Sequence, residues 1–405
     1  MKPTIFVIIG FNSSTYGFAR SLHSNYGIKP YVFGDEEETS PILFSSIVDC
    51  HPVRNFYDKH VFCRVLIDFA KKQSHQCILL TSSELNLFYI ENDYDQLSKY
   101  FIIPYPKPLV NESYFDKHLA KKVCELAKIP YPVTVSLTIE NEDTFIPNSL
   151  KFPVVLKPSV SALYKNLVFD NKSKNFFIYN EEQLQFVSKK IRQAGYTSSL
   201  LVQEIIPSEQ YNEYSVNGYI DQQGHLRVVA FGRALLGWPN PTRRGNHLVI
   251  VSVTEKEQTL LLSLVHRFFS VHTYYGFFNI DFIQNSQTGE MVLIEFNPRQ
   301  GRSHFYCELS GVSLVQAIVD DVVENQPFIK TELPSRSFVW LDASLKHVFD
   351  HLVTSQKERL ENEITSNNID FTWTYPYDLK ESQRFKKHVT IKINNMDKLL
   401  VTSSE

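Results

Sequence analysis

The segment that most constrains this chain is a predicted β-hairpin in which two carboxylates face each other. Two apolar runs, 277–284 and 291–296, flank a short polar turn, a pattern typical of antiparallel strands. A hairpin centred near Thr288 places Asp281 directly opposite Glu295. Directly paired side chains have Cβ atoms roughly 4.5–5.5 Å apart. Two carboxylates at that separation destabilise the hairpin unless a positive charge compensates them.

A divalent cation is the natural compensating charge for such a pair. Mg²⁺ takes hard oxygen ligands, and it commonly uses one or two carboxylates together with the phosphates of a substrate. Because side chains alternate along a strand, Asn297 lies on the same face as Glu295 and adds an amide oxygen. Arg299 lies one step further and can bind phosphate oxygens through two N–H groups. The segment therefore predicts a magnesium and phosphate site, with a solvent-exposed acidic face as the competing interpretation.

Two lysines earlier in the chain have surroundings that suit phosphate binding. Lys157 ends the apolar strand run 154–156, where burying its charge is costly without a partner. Lys117 lies near the start of a predicted helix over about 112–127. A contact with phosphate explains both positions, whereas a solvated lysine on an aliphatic stem is the alternative for each.

The segment 201–207 is predicted to join two lobes. An apolar strand runs there into an extended stretch that ends at Pro207. Such a stretch can offer backbone groups to an adenine ring. An ordinary strand followed by a turn is the alternative.

Composition excludes several classes of protein. The chain has 405 residues, of which 41 are basic and 44 acidic, whereas nucleic-acid-binding proteins usually carry a basic excess. Its apolar runs are far shorter than the ~18 residues of a membrane helix, so we predict a cytoplasmic protein with neither an integral membrane segment nor a nucleic-acid partner. The cysteines form no Cys-x-x-Cys pair, which predicts neither a disulfide framework nor a zinc site. Gly-x-Gly-x-x-Gly is absent, which argues against a dinucleotide-dependent oxidoreductase.

The chain divides into three predicted units. Residues 1–105 alternate short strands with helices, which predicts a parallel sheet with right-handed crossovers. Prolines 104, 106 and 108 mark a boundary. Antiparallel strands dominate beyond residue 213, and a tail from about 334 has no clear period apart from a Lys/Glu-rich helix near 344–365. In the first unit, the predicted strands are 4–9, 29–33 and 77–81, and the predicted helices are 13–26 and 61–72, the first of them capped by Ser13, Ser14 or Thr15.

Four segments have now been singled out: those around Lys117 and Lys157, the stretch 201–207, and the hairpin. In this order and spacing they resemble the ATP-grasp superfamily from about Phe115 to Tyr306. The resemblance rests on Asp116-Lys117, Pro153-Val154-Val155-Leu156-Lys157-Pro158, Gln203-Glu204-Ile205-Ile206-Pro207, and Asp281 with Ile294-Glu295-Phe296-Asn297-Pro298-Arg299. It implies an α/β and α+β protein with the ATP-grasp fold, in which an N-terminal Rossmann-like parallel-sheet domain precedes two α+β lobes that clamp ATP. The implied bounds are 1–105 for the N-terminal domain, 106–205 for lobe A with the hinge, and 206–405 for lobe B with a C-terminal extension.

The resemblance also implies roles for individual residues. Two of them, Lys157 and Arg299, would be catalytic, because Lys157 would contact the ATP phosphates and Arg299 the transferring phosphate or the acyl phosphate. The remaining implied ligands are Lys117 for the phosphates, Gln203, Glu204 and Ile206 for the adenine, Glu209 for the ribose, and Asp281, Glu295 and Asn297 for Mg²⁺.

The loop after Lys157 departs from the family pattern. Many ATP-grasp proteins cover the phosphates with a glycine-rich loop at this point. Residues 159–164 read Ser-Val-Ser-Ala-Leu-Tyr and contain no glycine. Serine hydroxyls and backbone amides would have to replace that loop.

Within the superfamily, the flanking motifs look like those of the peptidoglycan D-aspartate ligases and related carboxylate–amine ligases. The similar residues are 15–23 (Thr-Tyr-Gly-Phe-Ala-Arg-Ser-Leu-His), 26–29 (Tyr-Gly-Ile-Lys), 296–303 (Phe-Asn-Pro-Arg-Gln-Gly-Arg-Ser) and 374–378 (Thr-Tyr-Pro-Tyr-Asp). This resemblance implies an ATP-dependent ligase that activates D-aspartate as an acyl phosphate. The acceptor would be the lysine side chain of a UDP-linked peptidoglycan precursor.

Two further interpretations stay open. A different ATP-grasp ligase would join other amino acids or modify a small metabolite. The second is a nucleotide-binding module without turnover. The presence of all three predicted metal ligands argues against it, because a module without catalysis would be free to lose them. Association into a homodimer is compatible with either.

Overall fold

The computed structural model describes residues 2–107, 113–139, 150–208, 212–238, 245–364 and 368–402. Its N-terminal part contains the predicted parallel sheet, with strands in the order β3-β2-β1-β4-β5. The strands are β1 (Thr4–Ile9), β2 (Tyr31–Asp35), β3 (Asp49–Val53), β4 (Gln76–Thr81) and β5 (Phe101–Ile102), and the helices are α1 (Ser13–Tyr26), α2 (Lys59–Ala70), α3 (Glu84–Asn92) and α4 (Tyr94–Leu97). The apolar strands β1 and β4 lie side by side at the centre, as expected of strands buried on both faces.

The first unit differs from its prediction at both edges of the sheet, and β5, α3 and α4 were not predicted. Strand β2 begins two residues later than predicted and α2 two residues earlier. Strand β3 was not predicted at all. Its sequence, Asp-Cys-His-Pro-Val, lies at the sheet edge and is largely accessible. An edge strand needs no apolar run, and it tolerates proline, so the sequence gives little sign of it.

Helix α1 has clear signals at both ends. The side chain of Asn12 accepts a hydrogen bond from the Thr15 N–H at 3.0 Å, so Asn12 is the N-cap and the predicted cap within 13–15 is wrong by at least one residue. Gly27 has φ +67° and donates its N–H to His23 O at 2.9 Å. This left-handed glycine ends the helix where it was predicted to end.

A second, antiparallel sheet carries Lys157. Its strands lie in the order β6-β9-β7-β8, and apolar side chains of the sheet and of α7 form its core. The elements are α5 (Lys117–Ala127), β6 (Thr134–Leu137), β7 (Val154–Pro158), α6 (Ser161–Lys165), β8 (Phe176–Ile178), α7 (Glu181–Gln193) and β9 (Leu200–Glu204). Strands β7 and β9 lie where the apolar runs predict strands.

The third sheet is the largest and carries the hairpin. Its order is β14-β13-β10-β11-β12-β15-β16, and α5 and α8 pack on one of its faces. The elements are β10 (Glu213–Ile220), β11 (Leu226–Gly237), β12 (His247–Ser252), α8 (Glu255–Ser270), β13 (Gly276–Gln284), β14 (Met291–Asn297), α9 (Tyr306–Ser310), α10 (Leu314–Ile318), β15 (Val339–Leu341), α11 (Leu345–His351), α12 (Thr354–Glu363), β16 (Ile369–Phe371), α13 (Pro376–Glu381) and α14 (Gln383–Thr402). No helix in the described ranges is long and apolar enough to cross a membrane.

The tail from about residue 334 has more regular structure than was predicted. The predicted helix near 344–365 corresponds to two separate helices, α11 and α12. Strands β15 and β16 extend the large sheet, and α14 is a 20-residue helix. Its buried residues Phe385, Val389 and Met396 recur at spacings of four and seven, which is a helical period. The signal was therefore present but diluted by the many polar residues on the other faces of the helix.

A buried carboxylate fastens this C-terminal segment to the N-terminal sheet. Asp378 is fully buried. It accepts hydrogen bonds from the Tyr16 hydroxyl at 2.8 Å, the Ser45 hydroxyl at 2.6 Å, and the N–H and hydroxyl of Ser46, both at 2.7 Å. Four donors compensate the lost hydration of the buried charge. They tie together segments that lie more than 300 residues apart in sequence.

Candidate active site

The hairpin register at the site is as predicted. Strands β13 and β14 are antiparallel, with Asp281 opposite Glu295 and Asn279 opposite Asn297. Alternation along both strands puts these four side chains on one face of the sheet. The intervening apolar side chains belong to the core on the other face. Sequence and structure therefore agree on the central pair of carboxylates.

The position of the turn differs from the predicted one. It closes with a hydrogen bond from the Asn285 N–H to Glu290 O at 2.9 Å, so its centre lies slightly before the predicted one. That turn alone would shift every pairing by one residue. A bulge at Ile294 adds a residue to β14 and restores the pairing of Asp281 with Glu295. The predicted pair is correct because the bulge offsets the error in the turn.

Lysine ammonium groups surround Glu295. Lys117 Nζ lies 3.7 Å from Oε1, and Lys174 Nζ lies 3.3 Å from Oε2. Burial disfavours the charged carboxylate, but Lys174, Lys117 and Lys157 together outweigh burial and hold the pKa of Glu295 well below its usual range. Glu295 is therefore ionised at neutral pH.

Asp281 responds in the opposite direction. Burial and the neighbouring Glu295 raise its pKa, against an opposing effect of His247. Asn279 Nδ2 donates to Asp281 Oδ1 at 3.0 Å and so orients the carboxylate. The pKa values of the two facing carboxylates move in opposite directions. A bound cation would relieve the repulsion between the two groups.

Lys157 is buried at the end of β7, as the sequence indicated. Its side chain is 8% exposed, and Nζ donates to Ile294 O at 3.5 Å, a long contact. Burial lowers the pKa of Lys157 to about 7, against the attraction of Glu295. A buried ammonium with so little compensation is well placed to receive an anionic ligand.

Lys174 is the site residue that sequence reasoning missed. It lies between α6 and β8, in the segment where many ATP-grasp proteins have their glycine-rich loop. That segment carries Lys165, Lys172 and Lys174 instead, and this local density of lysine was the available signal. On the same segment, Ser161 Oγ accepts from Lys117 Nζ at 2.8 Å. The glycine-free segment thus contacts the site through side chains.

Arg299 joins the hairpin to the N-terminal sheet. Its Nη2 donates to Asn297 Oδ1 at 3.2 Å and lies 3.8 Å from the carboxylate of Glu84, in the first turn of α3. Its Nη1 donates to Gln300 O at 2.9 Å. The buried Nε has no hydrogen-bond partner among the described residues. An uncompensated buried donor costs free energy, which a ligand oxygen at this position would recover.

The loop that carries Arg299 is held from two sides. Gln300 Nε2 donates to Thr81 O, at the end of β4, at 2.7 Å. The Gly301 N–H donates to Asn217 Oδ1, on β10, at 2.6 Å. A Cβ at position 301 would lie 3.2 Å from Cγ of Asn279, so the close approach of the loop favours glycine. Both contacts fix the position of Arg299 relative to the hairpin.

The donor set fits magnesium. Asp281, Glu295 and Asn297 offer hard oxygen atoms on one face of one hairpin. Within the described ranges, no three His, Cys, Asp or Glu side chains gather as a metal site. Two carboxylates and an amide would therefore leave several coordination positions to phosphate oxygens and water, which is how Mg²⁺ is usually held beside a nucleotide.

The predicted adenine residues lie apart from this centre, at the end of β9. Gln203 is buried and its Nε2 donates to Thr134 Oγ1 at 2.9 Å. A carboxylate oxygen of Glu204 accepts the Val133 N–H at 2.7 Å, so this side chain is occupied by the neighbouring strand. Ile206 is half-buried in the extended stretch that follows β9. The predicted ribose ligand, Glu209, lies outside the described residues.

A large cleft adjoins the hairpin on the side of the N-terminal sheet. It has a volume of about 530 Å³. Its walls are the loops that follow β1 and β4, the segment around α6, and the loop carrying Arg299. None of Gln203, Glu204 and Ile206 lines it, so it is distinct from the predicted adenine pocket.

Residues 150–307 match the ATP-grasp domain family. The chain contains an ATP-grasp domain. The matched range includes Lys157, Lys174, the hairpin and the Arg299 loop, whereas Lys117 precedes it. The residues that converge on Glu295 therefore come from the ATP-grasp domain and from the segment just before it.

Similar proteins cover most of the chain. The D-aspartate ligase of Enterococcus faecium (strain Aus0004) is 28% identical over 376 residues, which cover 89% of this chain and 88% of that protein. The L-amino acid ligase from Bacillus licheniformis superimposes with a TM-score of 0.58 at 15% identity, over 84% of this chain and 79% of that one. The biotin carboxylase domain of Hydrogenobacter thermophilus 2-oxoglutarate carboxylase, solved with MgADP, gives a TM-score of 0.63 at 16% identity, over 82% and 73% of the chains.

These comparisons bear on three of the predictions. They confirm the resemblance to D-aspartate ligases and the ATP-grasp fold, the latter from structures whose low identity speaks for fold alone. The family match and the similarity to the D-aspartate ligase also confirm the class of enzyme, an ADP-forming ATP-grasp carboxylate–amine ligase.

Proposed function

We propose that this ligase joins the side-chain carboxylate of D-aspartate to the lysine side chain of a UDP-linked peptidoglycan precursor, in the cytoplasm and with ATP and Mg²⁺. The observation that carries the proposal is the convergence of Lys117, Lys157, Lys174 and Arg299 around the facing carboxylates Asp281 and Glu295. This arrangement suits a triphosphate and its counter-ion beside a cleft large enough for an amino acid. The similarity to the E. faecium D-aspartate ligase over 89% of the chain supports the choice of substrate.

In the proposed reaction, the residues of the chain act mainly by position and charge. Lys117 and Lys157 bind the ATP phosphates, and Arg299 stabilises the phosphoryl group as it passes to the carboxylate. Asp281, Glu295 and Asn297 would hold magnesium, which would supply positive charge to neutralise the phosphates. Phosphoryl transfer leaves ADP; the amine then attacks the carbonyl carbon of the acyl phosphate, and the C–N bond forms as the amine loses a proton and inorganic phosphate leaves.

The nucleotide base is proposed to lie at the end of β9. Gln203, Glu204 and Ile206 would line the adenine pocket, and Glu209 would contact the ribose. Because the Glu204 side chain already accepts the Val133 N–H, we propose that its backbone rather than its carboxylate meets the adenine. We keep the proposed division into 1–105, 106–205 and 206–405, in which β9 leads from lobe A into the hinge.

A substrate panel tests the proposal. The chain is incubated with MgATP and each of a set of D- and L-amino acids, with and without the UDP-linked precursor, and released phosphate is measured with the mass of the product. We expect phosphate release that requires both D-aspartate and the precursor, and a product heavier by one aspartyl residue. Release that is independent of the precursor, or equal for L-aspartate, would contradict the proposed substrates.

A second candidate function is the ligation of two free amino acids. It is favoured by the structural similarity to the L-amino acid ligase from B. licheniformis, although at 15% identity that similarity speaks for the fold alone. The same panel separates the two functions. Phosphate release from pairs of free amino acids, with a dipeptide as product, would support the second candidate.

A further inference from the structure

The cleft beside the hairpin lies at the point where the N-terminal parallel sheet changes direction. In the strand order β3-β2-β1-β4-β5, the chain runs from β1 outward through β2 and β3 on one side and then crosses to β4 on the other side of β1. The change of direction therefore lies between β1 and β4. Ligands of open parallel sheets bind outside the carboxyl ends of the strands at such a switch point. The loops that follow β1 and β4, residues 12–14 and 82–85, both line the cleft. Its position alone marks it as a ligand site.

The charges around the cleft indicate an anionic ligand. Five of its lining residues are cationic and one is acidic, Glu84. The cationic residues are Lys165, Lys172, Lys174, Arg299 and Arg302. Glu84 lies 3.8 Å from Arg299, Glu295 lies 3.3 Å from Lys174, and Asp342 pairs with Arg302, so five cations meet three carboxylates and an excess of positive charge remains. A substrate with one carboxylate near Arg299 and another elsewhere in the cleft would match this excess.

Arg302 is a second arginine whose position in the wall is fixed by its contacts. Its Nη2 pairs with the carboxylate of Asp342, which is 2% exposed and also accepts from Trp238 Nε1 at 3.4 Å. Its carbonyl oxygen accepts from Ser14 Oγ, at the start of α1, at 2.9 Å. Asp342 takes one nitrogen of a guanidinium that carries five N–H donors, and the Arg302 side chain keeps 34% of its surface exposed. The group is therefore both held in place and open to the cleft.

The position of Arg302 relative to Arg299 is fixed by the loop that carries both. The two arginines are three residues apart on the loop that Gln300 and Gly301 attach to β4 and β10. Both line the cleft, and both also line the small cavity that contains Asp281 and Glu295. A donor whose reacting carboxylate lies beside Arg299 would therefore meet Arg302 with a second anionic group.

We propose that Arg302 binds the carboxylate of the donor amino acid that does not react, and so selects a donor with two carboxylates. The inference rests on the proposed function, because it assumes that aspartate is activated at its side chain beside Arg299. The α-carboxylate of aspartate then pairs with the guanidinium of Arg302. A donor without that group leaves the guanidinium facing the cleft without an anion.

Aspartate and β-alanine test this role as a matched pair of donors. β-Alanine keeps the reacting carboxylate and the amine but lacks the α-carboxylate. KM and kcat are measured for both donors, with saturating MgATP and precursor, in the wild-type protein and in Arg302→Met. We expect the KM for aspartate to rise about 10- to 100-fold in the variant, as for loss of a charge-assisted pair. The KM for β-alanine and the Kd for ATP should change less than about twofold.

Lys165→Met is the matched control variant. Lys165 lines the same cleft, and the substitution also removes one positive charge. If the substitution only reduces the electrostatic attraction of the cleft for anions, it weakens the binding of both donors by a similar factor. The ratio of their KM values should then stay at the wild-type value. An unchanged ratio in Arg302→Met, with aspartate still the preferred donor, would overturn the proposal.

Two further arms keep the test decisive. If loss of the partner of Asp342 unfolds Arg302→Met, Arg302→Lys retains a charge for Asp342 but not the guanidinium fork, and it should lose part of the preference for aspartate. Failure of the proposed function is read separately, from wild-type protein that uses another donor in the substrate panel. The comparison is then repeated with that donor and its analogue without the second carboxylate. A preferred donor with a single carboxylate overturns the proposal.

Discussion

The affinity for ATP should fall steeply as the pH rises above neutrality, because the charge of Lys157 is marginal in the unliganded protein. Its side chain is 8% exposed, and burial lowers its pKa to about 7. A bound triphosphate favours the protonated lysine, so binding takes up a proton above that pKa. If the bound lysine stays protonated, Kd rises roughly fivefold from pH 7 to pH 8 and about fiftyfold from pH 7 to pH 9. Fluorescence titration with an ATP analogue at fixed Mg²⁺ measures this dependence.

Lys157→Arg is the control that isolates the lysine. A guanidinium stays charged over this whole range, so the variant should show only the titration of the nucleotide and of other groups. Its Kd is expected to be higher than that of the wild type at pH 7 but nearly constant up to pH 9. The reasoning is refuted if the two proteins show the same dependence of Kd on pH, since the pKa of Lys157 would then play no part in binding.

Two further substitutions probe the site and the scaffold. Lys174→Met removes the ammonium 3.3 Å from Glu295 and should weaken ATP binding several-fold, a modest loss because the side chain is partly exposed; an unchanged Kd in the same titration would contradict its assignment to the site. Asp378→Asn removes the charge that accepts four hydrogen bonds and should destabilise the protein by about 2–4 kcal/mol. Denaturant unfolding measures this loss, with Tyr16→Phe as a milder comparison, and an unchanged midpoint would show that the cluster contributes little to stability.

The chemistry of the hairpin was predictable because it depends on local pairing. Asp281 and Glu295 are 14 residues apart, and turn position and strand alternation largely decide which side chains of a hairpin meet. Even here, the bulge at Ile294 could not be foreseen, since bulges depend on how the strand packs against its neighbours. Lys157 was recognisable because a charge at the end of an apolar strand conflicts with its surroundings.

The rest of the site depends on contacts between distant segments. Lys174 lies in a stretch without apolar period and reaches Glu295 across 121 residues of sequence. Arg302 is held by Asp342 and by Ser14, and a single sequence does not indicate either contact. Glu204 was expected at the adenine, but β6 and β9 pair so that its carboxylate accepts the Val133 N–H. Tertiary packing, rather than local propensity, decided each of these positions.

The central claim is that Asp281 and Glu295 hold a cation that arrives with the nucleotide, and the magnesium dependence of ATP binding in Glu295→Gln tests it most directly. The Kd for ATP is measured with and without Mg²⁺ in the wild type and in the variant, after circular dichroism has confirmed that both are folded. We expect Mg²⁺ to tighten binding to the wild type. In the variant, Lys117, Lys157 and Lys174 still attract the phosphates, so ATP should bind with nearly the same Kd whether or not Mg²⁺ is present. A variant that keeps the wild-type response to Mg²⁺ would contradict the account.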